Sequence, residues 1–220
     1  MSTATRVKIC GITTVADAEM VADLGADAIG LVFYEPSPRY VDLDNAADIA
    51  RAVGPFVNVV GLFVDATADT VHRIVDAVGI NLLQFHGNES ADYCEQFTLP
   101  YMKALRMRAG LDVKQAISPY NASALLLDAY RKGVPGGTGE SFDWARVPQN
   151  MSTPIVLAGG LVPSNVAQAV QQVRPYAVDV SGGVESAPGK KDRQKTKEFI
   201  DNVRRVNAQR NNPNEDIHGE

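Results

Sequence analysis

The sequence predicts an α/β chain folded as a single-domain (β/α)8 TIM barrel, and three observations predict it. Eight short apolar or β-branched runs recur along the 220 residues with starts about 24 residues apart, the length of a strand plus a crossover helix. Between them lie segments with apolar residues at three- and four-residue spacing, the pattern of helices that bury one face. Polar residues gather at the C-terminal ends of the runs, where a parallel barrel displays its catalytic groups. A flavodoxin-like open sheet is the alternative, and it would normally use five strands.

The predicted strands are Val7–Ile12, Asp27–Phe33, Asn58–Val64, Leu82–His86, Tyr101–Met107, Ala124–Ala129, Pro154–Gly160 and Ala177–Gly182. The predicted helices are Val15–Leu24, Ala46–Val53, Thr67–Val78, Ser90–Phe97, Leu111–Ile117, Pro163–Val173 and Lys191–Val206, with only a weak helical pattern around Trp144–Val147. Gly25 and Gly79 fit helix C-terminal stops, and Asp65, Thr67 and Ser90 stand where N-caps belong. The domain is expected to span 1–207. The stretch 208–220, rich in Asn, Gln, Asp and Glu, reads as a disordered polar tail that cannot bury enough to order itself. Gly133–Gly139 reads as a mobile lid over the barrel mouth.

Composition narrows the function. A hydrophobic content of 45% supports one substantial core, and a formal charge of −5 with no long Lys/Arg run argues against nucleic acid. No apolar run approaches the roughly 18 residues of a membrane span, and Met1–Arg6 has no signal-peptide pattern. A cytoplasmic protein acting on a small molecule is expected, with no membrane partner; a monomer is expected, with a homodimer as the alternative. Cys10 and Cys94 form neither a metal-ligand spacing nor a disulfide framework. Cys94, on a helix, reads as an inert buried thiol.

Side chains alternate faces along a strand, so Lys8 and Cys10 share one face of the first strand. Taking large aliphatics as the helix-facing side, Gln84 and His86, Asp128, and Asp179 and Ser181 also point inward at strand ends. Their convergence on one mouth outweighs any single residue. A buried cysteine is ordinarily inert and an isolated Asp is often a cap or turn residue, but here both end barrel strands. Cys10 and Asp128 form a candidate acid/base pair, with Lys8 placed to lower the thiol pKa or to hold an anion. His86 could alternatively orient a loop.

Glycines close the seventh and eighth strands, Ala158-Gly159-Gly160-Leu161 before Pro163 and Ser181-Gly182-Gly183-Val184. Glycine lets backbone N–H groups approach an anion, and the loops after strands seven and eight commonly hold phosphate in this fold. The loop Tyr34–Tyr40 is stiffened by two prolines and offers Arg39, whose guanidinium suits a carboxylate at the far end of the substrate.

These motifs resemble the phosphoribosylanthranilate isomerase family. The likeness runs in order through Lys8-Ile9-Cys10-Gly11-Ile12-Thr13, Gly25-Ala26-Asp27 to Phe33, Ser37-Pro38-Arg39-Tyr40 and Gln84-Phe85-His86-Gly87. It continues through Leu127-Asp128, Gly136-Gly137-Thr138-Gly139 with Phe142-Asp143-Trp144, Ala158 to Leu161, and Asp179-Val180-Ser181 to Pro188-Gly189-Lys190-Lys191-Asp192. The resemblance implies an Amadori rearrangement of N-(5'-phosphoribosyl)anthranilate in tryptophan biosynthesis, without metal or other cofactor. It implies Asp128 as general acid at the ring oxygen, Cys10 as general base at ribose C2, Arg39 on the anthranilate carboxylate, and Gly160 and Ser181–Gly183 on the phosphate. Lys8, His86 and Asp179 complete the expected substrate site. Many relatives carry a second serine where this chain has Gly182, so one side-chain bond to phosphate is absent while the backbone donor remains.

Competing readings are a Schiff-base aldolase using Lys8 or Lys103, an aminoaldose isomerase of the histidine-pathway type, and a sugar-phosphate sensor without turnover. Such aminoaldose isomerases usually rely on paired aspartates, against which Cys10 argues. An intact Cys10 and Asp128 argue against the sensor.

Overall fold

Eight parallel strands close a barrel in chain order: β1 Arg6–Cys10, β2 Ala28–Val32, β3 Asn58–Phe63, β4 Leu82–Phe85, β5 Tyr101–Met107, β6 Ala124–Ala129, β7 Ile155–Leu157 and β8 Ala177–Val180. The structure is a computed structural model and describes residues 4–129 and 143–211. Closure occurs at β1, where Lys8 is in register with Ala28 of β2 and with Asp179 of β8. The barrel expected from the 24-residue rhythm is therefore the fold.

The helices are α1 Val15–Asp23, α2 Leu43–Ala52, α3 Ala68–Val78, α4 Ala91–Glu95, α5 Val113–Ile117, α6 Pro163–Val173 and α7 Arg193–Asn211. Their starts are set by local chemistry. Thr14, Asp42, Thr67, Ser90 and Asp112 each accept a hydrogen bond from a backbone N–H three residues on, satisfying a first-turn donor. Asp65 is not a cap, contrary to expectation. It adopts φ 50°, and its carboxylate instead accepts from the backbone N–H of Asn88 at 2.6 Å. Gly79 ends α3 at φ 79°, a conformation that costs other residues their Cβ clearance. Between β6 and β7 the described residues hold only a 3-10 turn, Trp144–Arg146, in agreement with the weak pattern there. The proposed lid, Gly133–Gly139, lies outside the described residues.

The last helix departs from the reading in two ways. Lys191 belongs to a small antiparallel pair, β9 Glu185–Ala187 with β10 Lys190–Lys191, rather than to α7. At its other end α7 runs to Asn211, past the boundary expected at 207. Ala208, Gln209 and Arg210 are good helix formers, and the Arg210 guanidinium bonds the carbonyl of Val170 and the hydroxyl of Thr5. Residues 212–220 lie outside the described residues.

Two apolar layers follow from the period-two pattern. Leu83, Phe85, Leu125, Leu127 and Val178 pack outward against helices, whereas Val60, Met102, Ala104, Leu126, Val156 and Ala158 fill the lower barrel interior. Packed side chains thus plug the barrel bottom, and the polar inward residues are stacked above them at the C-terminal mouth. None of the described helices is long and apolar enough to cross a membrane.

Candidate active site

A cleft of about 1170 Å³ opens at this mouth, lined among others by Cys10, Arg39, His86, Asp128, Gly160 and Asp179. Lys8 lies below Cys10 on the same strand face, and its ammonium donates to Asp179 Oδ1 at 2.8 Å. Burial is the largest single influence and opposes the Lys8 charge, but Asp179 and Cys10 together outweigh it, so the ammonium is held above its ordinary pKa. Cys10 is in register with Gly30 of β2. A Cβ on Gly30 would fall 2.7 Å from Cys10 Sγ and 3.0 Å from Lys8 Nζ, so the thiol and the ammonium occupy the space that glycine leaves.

Across the mouth, β4 and β6 carry a connected set. Gln84 Nε2 lies 3.0 Å from His86 Nδ1, and His86 Nε2 lies 3.2 Å from Asp128 Oδ2. Above β2, Arg39 is engaged by Glu185 through two parallel bonds, Nε to Oε1 at 2.8 Å and Nη2 to Oε2 at 2.7 Å. Lys191 Nζ donates to the other side of this cluster, to Glu185 Oε1 at 2.8 Å and to the carbonyl of Cys10 at 2.6 Å. Burial alone would raise the Glu185 carboxyl, but the Arg39 bonds and the Lys191 charge hold it below its ordinary value.

The two glycine turns meet at the remaining side. Gly159 and Gly160 both have positive φ, 79° and 67°, and a Cβ on Gly183 would collide with the Leu161 carbonyl oxygen. The β7 turn leads directly to Pro163 and the N-terminus of α6, whose entry is fixed by the Val162 N–H donating to Asn165 Oδ1 at 2.9 Å. Ser181 Oγ is buried there without a hydrogen-bond partner.

This geometry accompanies a match over most of the chain. Residues 7–202 fit the family model described as N-(5'phosphoribosyl)anthranilate (PRA) isomerase. The chain belongs to that family. An N-(5'-phosphoribosyl)anthranilate isomerase of Cellvibrio japonicus is 58% identical over 206 residues, covering 93% of this chain and 96% of that protein. The crystal structure of phosphoribosyl anthranilate isomerase from Thermotoga maritima superposes with TM-score 0.85 at 38% identity, over 91% of this chain and 98% of that one. A solved isomerase in complex with reduced 1-(o-carboxyphenylamino)-1-deoxyribulose 5-phosphate has TM-score 0.81 at 37% identity, covering 91% of this chain and 98% of that one.

In this isomerase-family chain every sequence-predicted site residue lies at the mouth or just below it, but two expectations change. Lys8 does pull the Cys10 thiol down, yet burial is the larger influence, and the thiol is pushed above its ordinary pKa. Lys8 is committed to Asp179, which itself disfavours a thiolate. Lys103 faces outward, donating to Glu89 Oε2 at 2.7 Å and to the Gly87 carbonyl at 2.9 Å, so it cannot serve as a barrel nucleophile. Cys94 is buried on α4, with burial pushing its thiol up to about 12.

Sequence reasoning missed Gly30, Glu185, Lys191 and Arg106. A glycine inside a strand run was the available signal for the first. Arg106 continues the inward alternation of Met102 and Ala104, and its Nη2 donates to the His86 carbonyl at 3.3 Å. Glu185 and Lys191 gave no such signal, because only the β9–β10 hairpin carries them back under Arg39.

Proposed function

We propose that this chain is a phosphoribosylanthranilate isomerase, converting N-(5'-phosphoribosyl)anthranilate to 1-(2-carboxyphenylamino)-1-deoxyribulose 5-phosphate. The observation that carries the reading is the placement of Cys10 and Asp128 on separate strands lining one cleft, in a chain matched to the family from residue 7 to 202. Asp128 gives a proton to the ribose ring oxygen, the C1–O bond breaks, and the nitrogen lone pair forms the C1=N bond of an iminium cation. Cys10, as thiolate, takes the proton from C2. The C2–H electrons form the C1=C2 bond, the C1=N π electrons return to nitrogen to give the neutral enolamine, and tautomerisation gives the ketose. Both half-reactions are proton transfers of the general acid/base kind.

Burial keeps the resting Cys10 protonated, which suits a base that must be activated by its substrate. The iminium formed beside it is a positive charge that favours the thiolate, so the thiol gives its proton to solvent through the cleft before it takes the one at C2. Arg39 has Nη1 free of the Glu185 bonds and presents it to the anthranilate carboxylate. The N–H groups of Gly160, Gly182 and Gly183, with the unpartnered Ser181 hydroxyl, suit the phosphate. Lys8 and Asp179 form the charged floor under the reacting carbon, and His86 bonds Asp128. The corresponding cellular reading is a cytoplasmic enzyme acting as a monomer. A homodimer is the alternative.

The test is the decay of anthranilate-type fluorescence when the protein meets phosphoribosylanthranilate generated in situ, beside Cys10→Ala and Asp128→Asn. Conversion by wild type with a loss of orders of magnitude in each variant is expected. A folded wild type that leaves the fluorescence unchanged refutes the reading, and near-normal turnover in either variant refutes that residue's role.

A further inference from the structure

We infer that Gln84 is a positioning residue that sets which oxygen of Asp128 carries the proton, by holding His86 in a single tautomer. The inference rests on the reading of Asp128 as general acid.

Gln84 sits mid-strand in β4 with no solvent exposure, in register with Leu62 on one side and Met102 on the other. An amide in such apolar company costs about 1–3 kcal/mol unless it is hydrogen-bonded. Its bonding is one-sided. Nε2 reaches His86 Nδ1 at 3.0 Å, while Oε1 is buried with no partner. An amide nitrogen only donates, so Nδ1 accepts and the ring proton of neutral His86 resides on Nε2. Nε2, 3.2 Å from Asp128 Oδ2, is then a donor.

The opposite amide orientation would face Oε1 to an Nδ1–H and would leave Nε2 of the ring as an acceptor. It would also put an NH2 group, with two donors, where a single carbonyl oxygen now lacks a partner. Two orphaned donors cost more than one under-satisfied oxygen, so the burial of Gln84 selects the first arrangement.

The consequence reaches the chemistry. With Oδ2 occupied by the His86 N–H, the acidic proton of Asp128 is confined to Oδ1. When that proton leaves for the ring oxygen, the charge that develops on the carboxylate strengthens the bond already aimed at Oδ2. In the other tautomer Asp128 would spend its proton on the imidazole. A side chain of equal size without a donor at Nδ1 would fill the same space and would not make this distinction.

The experiment combines tautomer and rate. In wild-type protein labelled with 15N-histidine, long-range 15N–1H spectra should show His86 protonated at Nε2, with the resonance assigned by its loss in His86→Asn. In Gln84→Met the signature should become a mixture. In Gln84→Glu, an acceptor at Nδ1 should draw a proton there. In both variants kcat should fall at least about tenfold with KM within about twofold, the split expected when acid catalysis and not binding is impaired. A wild-type His86 protonated at Nδ1 overturns the inference without need of any variant. So do an unchanged tautomer in both variants and an unchanged kcat in a variant whose tautomer has shifted. Wild-type turnover in Asp128→Asn would instead defeat the acid role itself, and the spectra report on Gln84 independently of that result.

Discussion

Replacing Lys8 with methionine isolates the charged floor of the site. Lys8 and Asp179 meet at 2.8 Å with side chains only 4% and 9% exposed, so the substitution leaves a largely buried carboxylate without its countercharge. Removing one member of such a pair costs about 3–5 kcal/mol. For a domain of this size each kcal/mol moves Tm by about 2–4 °C, so a fall of about 6–20 °C at pH 7 is expected. Asp179→Asn added to Lys8→Met should recover most of that loss, because the orphaned charge is gone.

The pH dependence separates this explanation from a simple packing defect. In wild type the Lys8 pKa is raised by Asp179, so the contribution of the pair is fully present below the unfolded lysine value and disappears only as pH rises through the higher folded value. Lys8→Met removes that contribution, so the variant's deficit should narrow as pH rises from 7 to about 11, past the ordinary lysine value. Thermal unfolding followed by circular dichroism at both values measures it. A Tm change under about 3 °C, or a deficit that does not vary with pH, would show that the pair is not the buried ion pair described.

Three further outcomes are expected. Gly30→Ala puts a methyl 2.7 Å from Cys10 Sγ, so turnover should fall at least about tenfold while stability drops by only the 1–3 kcal/mol or so of an overpacked core; a wild-type kcat would show that the glycine is not needed for the thiol's placement. Glu185→Gln weakens the fork that holds Arg39 and should raise KM several-fold. Because the Glu185 pKa is lowered in the fold, its stabilisation is present above the ordinary glutamate value and is lost as pH falls through the lower folded one, so acid unfolding of the variant should be less steep than that of wild type. For Cys10, whose thiol is pushed up by burial, kcat/KM should keep rising past the ordinary thiol value of about 8.5, whereas kcat should level off at lower pH once the substrate cation is present. A kcat/KM plateau by pH 7 would refute that account.

The barrel was legible because its rules are local and repeated. A parallel strand needs an apolar run, a helix needs a 3.6-residue stripe, and eight repetitions leave few topologies to choose among. The errors fell where local signals compete. Asp65 looks like a cap two residues before Thr67, but the loop after β3 needs its carboxylate for the Asn88 N–H, and only tertiary structure brings those two together. Arg210 reads as tail because its partners, Thr5 and Val170, are 205 and 40 residues away.

The site was legible to a different depth. Period-two alternation suffices to place Cys10, Gln84, His86, Asp128 and Asp179 on one face of their strands, since a one-residue slip would bury every charge against the helices. It says nothing about which charge answers which. Lys8 sits two residues from Cys10 in sequence, a spacing that suits ionising the thiol, but the register of β1 with β8 sets Asp179 directly beside Lys8. The ammonium therefore serves the carboxylate first, and the balance at the thiol is decided by burial. In the same way Arg39 owes its position to Glu185, a residue 146 positions away on a hairpin that follows the last barrel strand. Strand period determines which groups reach the mouth, and barrel closure determines how they are paired. For a site whose chemistry depends on where protons rest, the second is the decisive step.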